Sequence, residues 1–254
     1  MSVQSVAHQE KKKLSLGLVL YGVGLVLALA LTVLAIWGDL EASLFDTMFR
    51  AERRLSGLSC PVLMTASEDA QIQASFTNST EREENLVVRA RISKGFASLI
   101  REEEVDLVLP PGENSQVAWD ISSEDAAWDR IVLARVSTVR NEPYRRLVGS
   151  SCGVLLLPIN GPTGGQIVTT MLIASLVLMI GGGWLWQNGR SRPFAGNDEK
   201  TWRLMLVFAG LTAAALTASL LQIWLLGMGL MLVILLLGIS ATEYITAPGF
   251  LRSS

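Results

Sequence analysis

Long apolar runs that hold no charged residue constrain this chain more than any other feature. The first run covers residues 14–37 and follows three lysines at positions 11–13. At about 1.5 Å per residue, a helix over this run can cross a hydrocarbon core of about 30 Å. The run is longer than the apolar region of about 7–15 residues in a secretory signal peptide, and no clear cleavage site ends it. We therefore predict a retained signal-anchor helix, with a cleaved signal peptide as the alternative.

Two further apolar runs predict more membrane helices. Residues 167–186 end with Trp184 and Trp186, and aromatic residues favour the membrane interface. Residues 204–239 are uncharged, and as one helix they would extend about 54 Å, which is too long for one crossing. We predict two helices with a turn near residues 222–229. The alternative is one tilted helix with a re-entrant or interfacial segment.

The complete prediction is a membrane protein with about four transmembrane helices and a β-domain inserted between the first two. The segments are a cytoplasmic tail (1–13), helix 1 (14–37), a juxtamembrane amphipathic segment (38–58), the β-domain (59–165), helix 2 (166–187), a cytoplasmic loop (188–203), helix 3 (204–224), helix 4 (227–246) and a cytoplasmic tail (247–254).

Basic residues predict the orientation of these helices. With four crossings, one side of the membrane receives Lys11, Lys12, Lys13, Arg190, Arg192, Lys200, Arg203 and Arg252. The positive-inside rule makes that side cytoplasmic. Arg50, Arg53 and Arg54 count against this orientation, because they follow the first crossing closely. We predict a multi-pass protein of the cytoplasmic membrane with its β-domain on the extracytoplasmic side.

The insert begins with an amphipathic pattern over residues 42–58. Leu44, Met48, Ala51 and Leu55 recur at helical spacing, and charged residues occupy the other faces. This pattern predicts a connecting helix that covers the domain, or alternatively a helix that contacts lipid or a partner.

Period-two alternation then predicts seven short strands separated by turn residues. They cover residues 60–66, 70–77, 86–93, 105–109, 116–121, 130–138 and 147–159. A short helical turn is predicted over 123–128, with a serine as its N-cap. Seven such strands in about 100 residues are typical of an antiparallel β-sandwich.

The only two cysteines, Cys60 and Cys152, lie in the first and last predicted strands. A separation of 92 positions is no zinc-site spacing, since zinc motifs use close pairs. First and last strands often neighbour each other in sandwiches, so a disulfide is reasonable. It would require an oxidising compartment, in agreement with an outside domain. Two buried free thiols are the alternative.

Two stretches of the insert carry a family resemblance. Residues 74–80 (Ala-Ser-Phe-Thr-Asn-Ser-Thr) lead into the strand at 86–90, and residues 107–113 (Leu-Val-Leu-Pro-Pro-Gly-Glu) lead into 117–120. This pattern resembles the bacterial extracytoplasmic Ig-like modules of the CARDB type. The resemblance covers residues 74–120 and implies a β-sandwich used for adhesion, assembly or spacing. It implies no binding residues, because its motifs are turns.

Charged clusters in the insert have two interpretations each. The acidic stretches at 81–84 and 102–104 could bind calcium, but they lack a spaced Asp/Asn loop and fit a solvated strand edge. A basic stretch could form a partner surface or a solvated loop. Its residues are Arg140, Tyr144, Arg145 and Arg146. Residues 78–80 also match the N-glycosylation sequon.

Small residues recur in the apolar runs at four-residue spacing, as in closely packed membrane helices. They are Gly24 and Ala28, and then Gly210, Ala214 and Ala218. The sequence does not decide whether they pack within this chain or against another membrane protein.

Several function classes are disfavoured. The runs hold no ionisable residue to mark a transport path, one histidine leaves few acid–base sites, and the net charge of −2 gives no basic footprint for nucleic acid. We expect a non-enzymatic membrane protein without a cofactor or metal. Its partners would be membrane lipid and another membrane or extracytoplasmic protein. A ligand-sensing or transporter-accessory subunit is the alternative, and an intramembrane enzyme is the least favoured.

Overall fold

The computed structural model describes residues 3–45, 53–55, 57–140, 148–189 and 197–246. The chain divides into two compact units. We call residues 37–168 the β unit, and residues 1–36 together with 169–254 the helical unit. Each unit is described by itself below.

The described chain contains four long helices. They are α1 (Val3–Leu44), α2 (Gly164–Asn188), α3 (Asn197–Leu220) and α4 (Trp224–Thr246). Three segments are long and apolar enough to cross a membrane, namely Lys12–Leu44, Gly164–Asn188 and Glu199–Leu220. A shorter apolar segment, Trp224–Ser240, lies in α4. This helical content is that of a membrane protein.

The long run after residue 203 is divided between α3 and α4, and the turn lies at residues 221–223 rather than across 222–229. The Ile223 N–H donates to Ala218 O (2.8 Å) and the Gln222 N–H to Ser219 O (2.9 Å). These two bonds, with Gln222 at φ 58°, form a Schellman cap. Gly227 and Gly229 suggested a later turn, but both lie inside α4.

The β unit contains nine strands in two sheets. They are β1 (Arg53–Arg54), β2 (Leu58–Ser59), β3 (Leu63–Thr65), β4 (Ala70–Thr77), β5 (Glu84–Lys94), β6 (Phe96–Leu109), β7 (Asn114–Ile121), β8 (Ile131–Arg140) and β9 (Val148–Leu157). The larger sheet has the order β1-β9-β8-β5-β6, and β3 also pairs with β9. The smaller sheet has the order β2-β4-β7.

One hydrophobic core is shared by the two sheets. Alternate residues of β4 and β7, such as Ile72 and Trp119, contribute from the smaller sheet. Val88, Val132 and Val154 contribute from the larger one and are fully buried. Because each buried aliphatic or aromatic side chain stabilises the fold by about 1.5–3 kcal/mol, the alternation read from the sequence also explains the core.

Three local predictions differ from the structure. Residues 53–54 and 58–59, predicted as helix, are strands, because Leu55 and Leu58 enter the β core and their spacing imitates a helix. β6 begins at Phe96 instead of residue 105, since its charged half is paired with arginines of β5 and shows no alternation. The larger sheet is not wholly antiparallel, because β9 pairs in parallel with β1 and β3.

The last turns of α1 pack on the larger sheet within the β unit. Ala42 and Phe45 are buried in a small cluster with Ala127, Ile131 and Leu133. The Arg135 guanidinium donates to Phe45 O (3.1 Å), where a cation favours the negative end of the helix dipole.

A disulfide joins Cys60, between β2 and β3, to Cys152 in β9. The two Cα atoms are 6.4 Å apart. β3 and β9 are neighbouring strands, so the pairing follows from the sheet order.

Two side chains fix the start of α2 in the β unit. Thr163 and Gln166 form a capping box, because Thr163 Oγ1 accepts from the Gln166 N–H (3.2 Å) and Gln166 Oε1 from the Thr163 N–H (3.1 Å). Glu68 Oε2 also accepts from the Gly164 N–H (2.6 Å). A carboxylate here suits the positive end of the helix dipole.

Candidate interaction surface

The edge of the larger sheet is the first feature of the candidate surface. β6 pairs with β5 alone among the described strands. Its first residues carry exposed apolar side chains, with Phe96 57 % and Leu99 56 % accessible and Ile100 also exposed. An unpaired edge presents free backbone N–H and C=O groups to any approaching strand.

A neighbouring turn adds a tryptophan to this end of the sheet. The Trp128 N–H donates to Gly95 O (2.9 Å), which places the turn between β7 and β8 beside the β5–β6 hairpin. The Trp128 side chain is 52 % exposed. We call Phe96, Leu99, Ile100 and Trp128 the tip patch.

The backbone that carries Trp128 is unusual. Trp128 and Asp129 have φ values of 53° and 55°. They form a tight turn closed by the Ala127 N–H donating to Ile131 O (2.7 Å). Two successive positive φ values are the requirement of type I′ turns, which prefer Asn-Gly. A bulky residue there costs free energy and is a reason to suspect function.

Further along β6, the acidic stretch forms an ion-pair ladder with β5. Arg91 Nε lies 2.9 Å from Glu102 Oε2, and Arg89 Nε lies 2.7 Å from Glu104 Oε1. These side chains are partly exposed, so each pair contributes about 0–1 kcal/mol. Within the described residues no histidine, cysteine and acidic side chains are grouped as metal ligands. The ladder places charges along this half of the edge, and the tip patch has none.

A polar cleft of about 570 Å³ lies where β6 and β7 approach the 3₁₀ turn at Ser123–Asp125. Arg101 donates to Asp125 Oδ2 (3.2 Å) and Asp120 O (2.8 Å), and Asp125 Oδ2 also accepts from the Ser122 N–H (3.0 Å). The Arg101 Nε is buried and has no hydrogen-bond partner among the described residues. The cleft therefore offers a donor to an anionic or carbonyl-bearing molecule.

The predicted basic surface falls largely outside the described residues. Arg140 is the last residue of β8. Tyr144, Arg145 and Arg146 lie outside the described ranges. This surface stays a prediction.

The asparagine of the sequon is part of the core structure. The Asn78 side chain is buried and its amide donates to Leu109 O (2.8 Å) and Arg82 O (2.7 Å), while its Oδ1 accepts from the Thr80 N–H (2.9 Å). It thereby joins the two turns that carried the family resemblance.

The predicted helix-packing residues have different environments in the helical unit. A Cβ on Gly24 would lie 2.8 Å from Ser175 O, so α1 and α2 approach closely there. Ala28 and Ala218 are buried. Gly210 and Ala214 are exposed, and no described atom lies within 4 Å of a Cβ built on Gly210.

Sequence reasoning missed the tip patch. The apolar stretch of residues 96–100 after Gly95 was a signal for a strand, but its exposure depends on β6 being last in the sheet order. Trp128 carried no signal, since a tryptophan is atypical of the turn it occupies.

Comparisons with known proteins add little. No family model matches the chain, and no curated protein matches it. Among solved structures, a *Bacteroides uniformis* β-glucuronidase 2 is 14 % identical with a TM-score of 0.30, and the match covers 39 % of this chain and 12 % of that one. The *Pseudomonas fluorescens* alkylpurine DNA glycosylase AlkC is 14 % identical with a TM-score of 0.29, over 42 % and 30 %. Neither similarity is close enough to support an argument about fold or activity.

Proposed function

We propose that this chain is a non-enzymatic membrane protein whose Ig-like β-sandwich binds a protein partner outside the cell through the tip patch. The observation that carries the proposal is the exposed apolar end of the edge strand β6, which Trp128 extends. The partner would be a membrane or extracytoplasmic protein in a shared complex.

Two physical arguments support this surface. A free strand edge can accept a strand of a partner, and flanking side chains then provide specificity. Tryptophan and phenylalanine are enriched at the centres of protein interfaces, where they are most often energetically important. The ion-pair ladder along the rest of β6 would limit such pairing to residues 96–100.

The proposed topology has four crossings, with both termini in the cytoplasm. It is supported by the basic residues on one side of that arrangement and by the Cys60–Cys152 disulfide, since disulfides persist in oxidising compartments. Single cysteines at Ser2, Ser123, Ser191 and Ser253 in a Cys60→Ser/Cys152→Ser background test it on intact cells. We expect labelling at Ser123 alone. Labelling at Ser253 as well would mean three crossings, and labelling at Ser191 but not Ser123 would invert the topology.

Photocrosslinking in native membranes tests the interaction. We would place a photocrosslinking amino acid at Leu99 and, as a matched control, at Thr77, which is exposed on the other sheet. We expect a discrete adduct from Leu99 alone, and its loss in the Trp128→Ser variant. Equal adducts at both positions, or none at Phe96, Leu99 and Ile100, would rule out the tip patch as the interface.

The polar cleft favours a second candidate function, a ligand-sensing or transporter-accessory subunit. The unpartnered Arg101 Nε would bind an anionic ligand. A ligand-dependent rise in the melting temperature that disappears in Arg101→Met would support this candidate. The absence of any shift across a panel of organic anions would count against it.

A further inference from the structure

The helical unit contains a cavity of about 550 Å³ between α1, α2 and α3. Its walls are almost entirely apolar and include Leu172, Leu176 and Ile180 of α2, and Met205, Ala209 and Ala213 of α3. Tyr21 and Ala28 of α1 close one side. Its location in apolar helices makes it a site for a molecule that partitions into the membrane.

The dimensions of the cavity identify the kind of occupant. On α2 the lining extends from Leu172 to Gln187, which is about 22 Å at the helical rise. The volume divided by this length gives a mean cross-section of about 25 Å². A helix with a diameter of about 10–12 Å needs about 80–110 Å². One extended hydrocarbon chain fits, since carbon chains in contact lie about 4–4.5 Å apart.

The two ends of the cavity differ in polarity. Trp184, Gln187 and Trp202 lie at one end, and tryptophan favours the headgroup level of a membrane. Trp202 is held there by stacking on Trp186, with ring centroids 6.0 Å apart. The Gln187 amide at this end can donate to a polar head. The opposite end, near Leu172 and Leu216, is apolar.

One polar group inside the cavity has an unmet hydrogen-bonding capacity. Thr212 is 2 % exposed, lines the cavity, and its Oγ1 has no partner among the described residues. Other hydroxyls in these helices donate to the carbonyl four residues earlier, for example Thr32 to Ala28 O (2.9 Å) and Ser219 to Ala215 O (2.9 Å). Thr212 lies ten residues along α3 from Trp202, about 15 Å from the polar end.

We propose that this cavity binds a single-chain lipid whose polar head lies at Trp184, Gln187 and Trp202 and whose chain carries an oxygen that accepts a hydrogen bond from Thr212. The hydrocarbon part fills the apolar walls. The mid-chain oxygen satisfies a buried hydroxyl that would otherwise be left without a partner. The site is independent of the tip patch and of the topology proposed above.

Native mass spectrometry of the full-length protein in detergent tests the proposal with two probes, stearate and 12-ketostearate. We expect one saturable adduct per chain and a preference of about threefold to tenfold for the keto probe, the usual range for one hydrogen bond. Thr212→Val, which keeps the side-chain shape, should remove the preference. Thr212→Ser should retain it.

A matched pair of variants tests the location of the site. Ala213→Phe fills the cavity and should abolish both adducts, whereas Ala214→Phe adds the same ring at an exposed position outside the lining and should leave them intact. Equal binding of the two probes, a preference that survives Thr212→Val, or equal effects of the two phenylalanines would overturn the proposal.

Discussion

At the scale of single residues, Asn78 does the most to organise the β unit. Besides its side-chain bonds, the Asn78 N–H donates to Glu113 O (3.0 Å) and its own carbonyl accepts from the Gly112 N–H (3.0 Å). One residue therefore holds the turn after β4 to the turn between β6 and β7. Both turns were recognisable in the sequence, but their contact was not, because they lie about 30 positions apart.

Replacing Asn78 tests this role. Asn78→Ala should lower the free energy of unfolding by about 2–4 kcal/mol, because it leaves buried carbonyls without donors. Ser79→Ala, at the exposed neighbouring position, is the control and should change it by less than about 0.5 kcal/mol. Chemical denaturation followed by tryptophan fluorescence measures both. A loss below about 1 kcal/mol for Asn78→Ala would contradict the assigned role.

At the scale of elements, the packing of α1 on the larger sheet depends on two glycines. A Cβ on Gly153 would lie 2.1 Å from Gly38 O, and a Cβ on Gly38 would lie 2.7 Å from Gly153 O. The helix can approach β9 this closely only when neither position carries a side chain. Neither glycine was recognised from the sequence, since the signal is a contact between distant segments.

Gly153→Ala should therefore displace the end of α1. We expect a loss of about 1–3 kcal/mol, the usual cost of overpacking, and faster amide hydrogen exchange in residues 38–44. Gly165→Ala is the matched control, because no described atom lies within 4 Å of its added Cβ. Unchanged exchange in Gly153→Ala would show that this contact is not tight.

Elements with a clear period were predictable, and elements defined by their neighbours were not. β4 was predicted with its observed bounds, because Ile72, Ala74 and Phe76 alternate with polar residues. β6 was predicted at less than half its length, since ion pairs across the sheet replace apolar alternation at residues 101–104. The tip patch was missed for a related reason: sheet order, which decides the edge, is not written in any local pattern.

At the scale of the whole molecule, the disulfide closes a loop that contains nearly all of the β unit. A loop of 92 positions implies about 4–5 kcal/mol of stabilisation on the chain-entropy model. Reduction with a phosphine should lower the melting temperature of the full-length protein and leave that of the Cys60→Ser/Cys152→Ser variant unchanged. A wild-type melting temperature that does not respond to reduction would mean that the bond adds no stability.

The burial of Asn78 has a consequence for how the chain is made. A glycosyltransferase needs a free amide in an accessible segment, and here that amide is enclosed as soon as the turns at 78–82 and 110–113 meet. In a host with N-glycosylation, a sugar at Asn78 would therefore mark molecules that were modified before these turns closed. The sequon would act as a recorder of the order of events in biogenesis, with the unmodified chain as the signature of prompt folding.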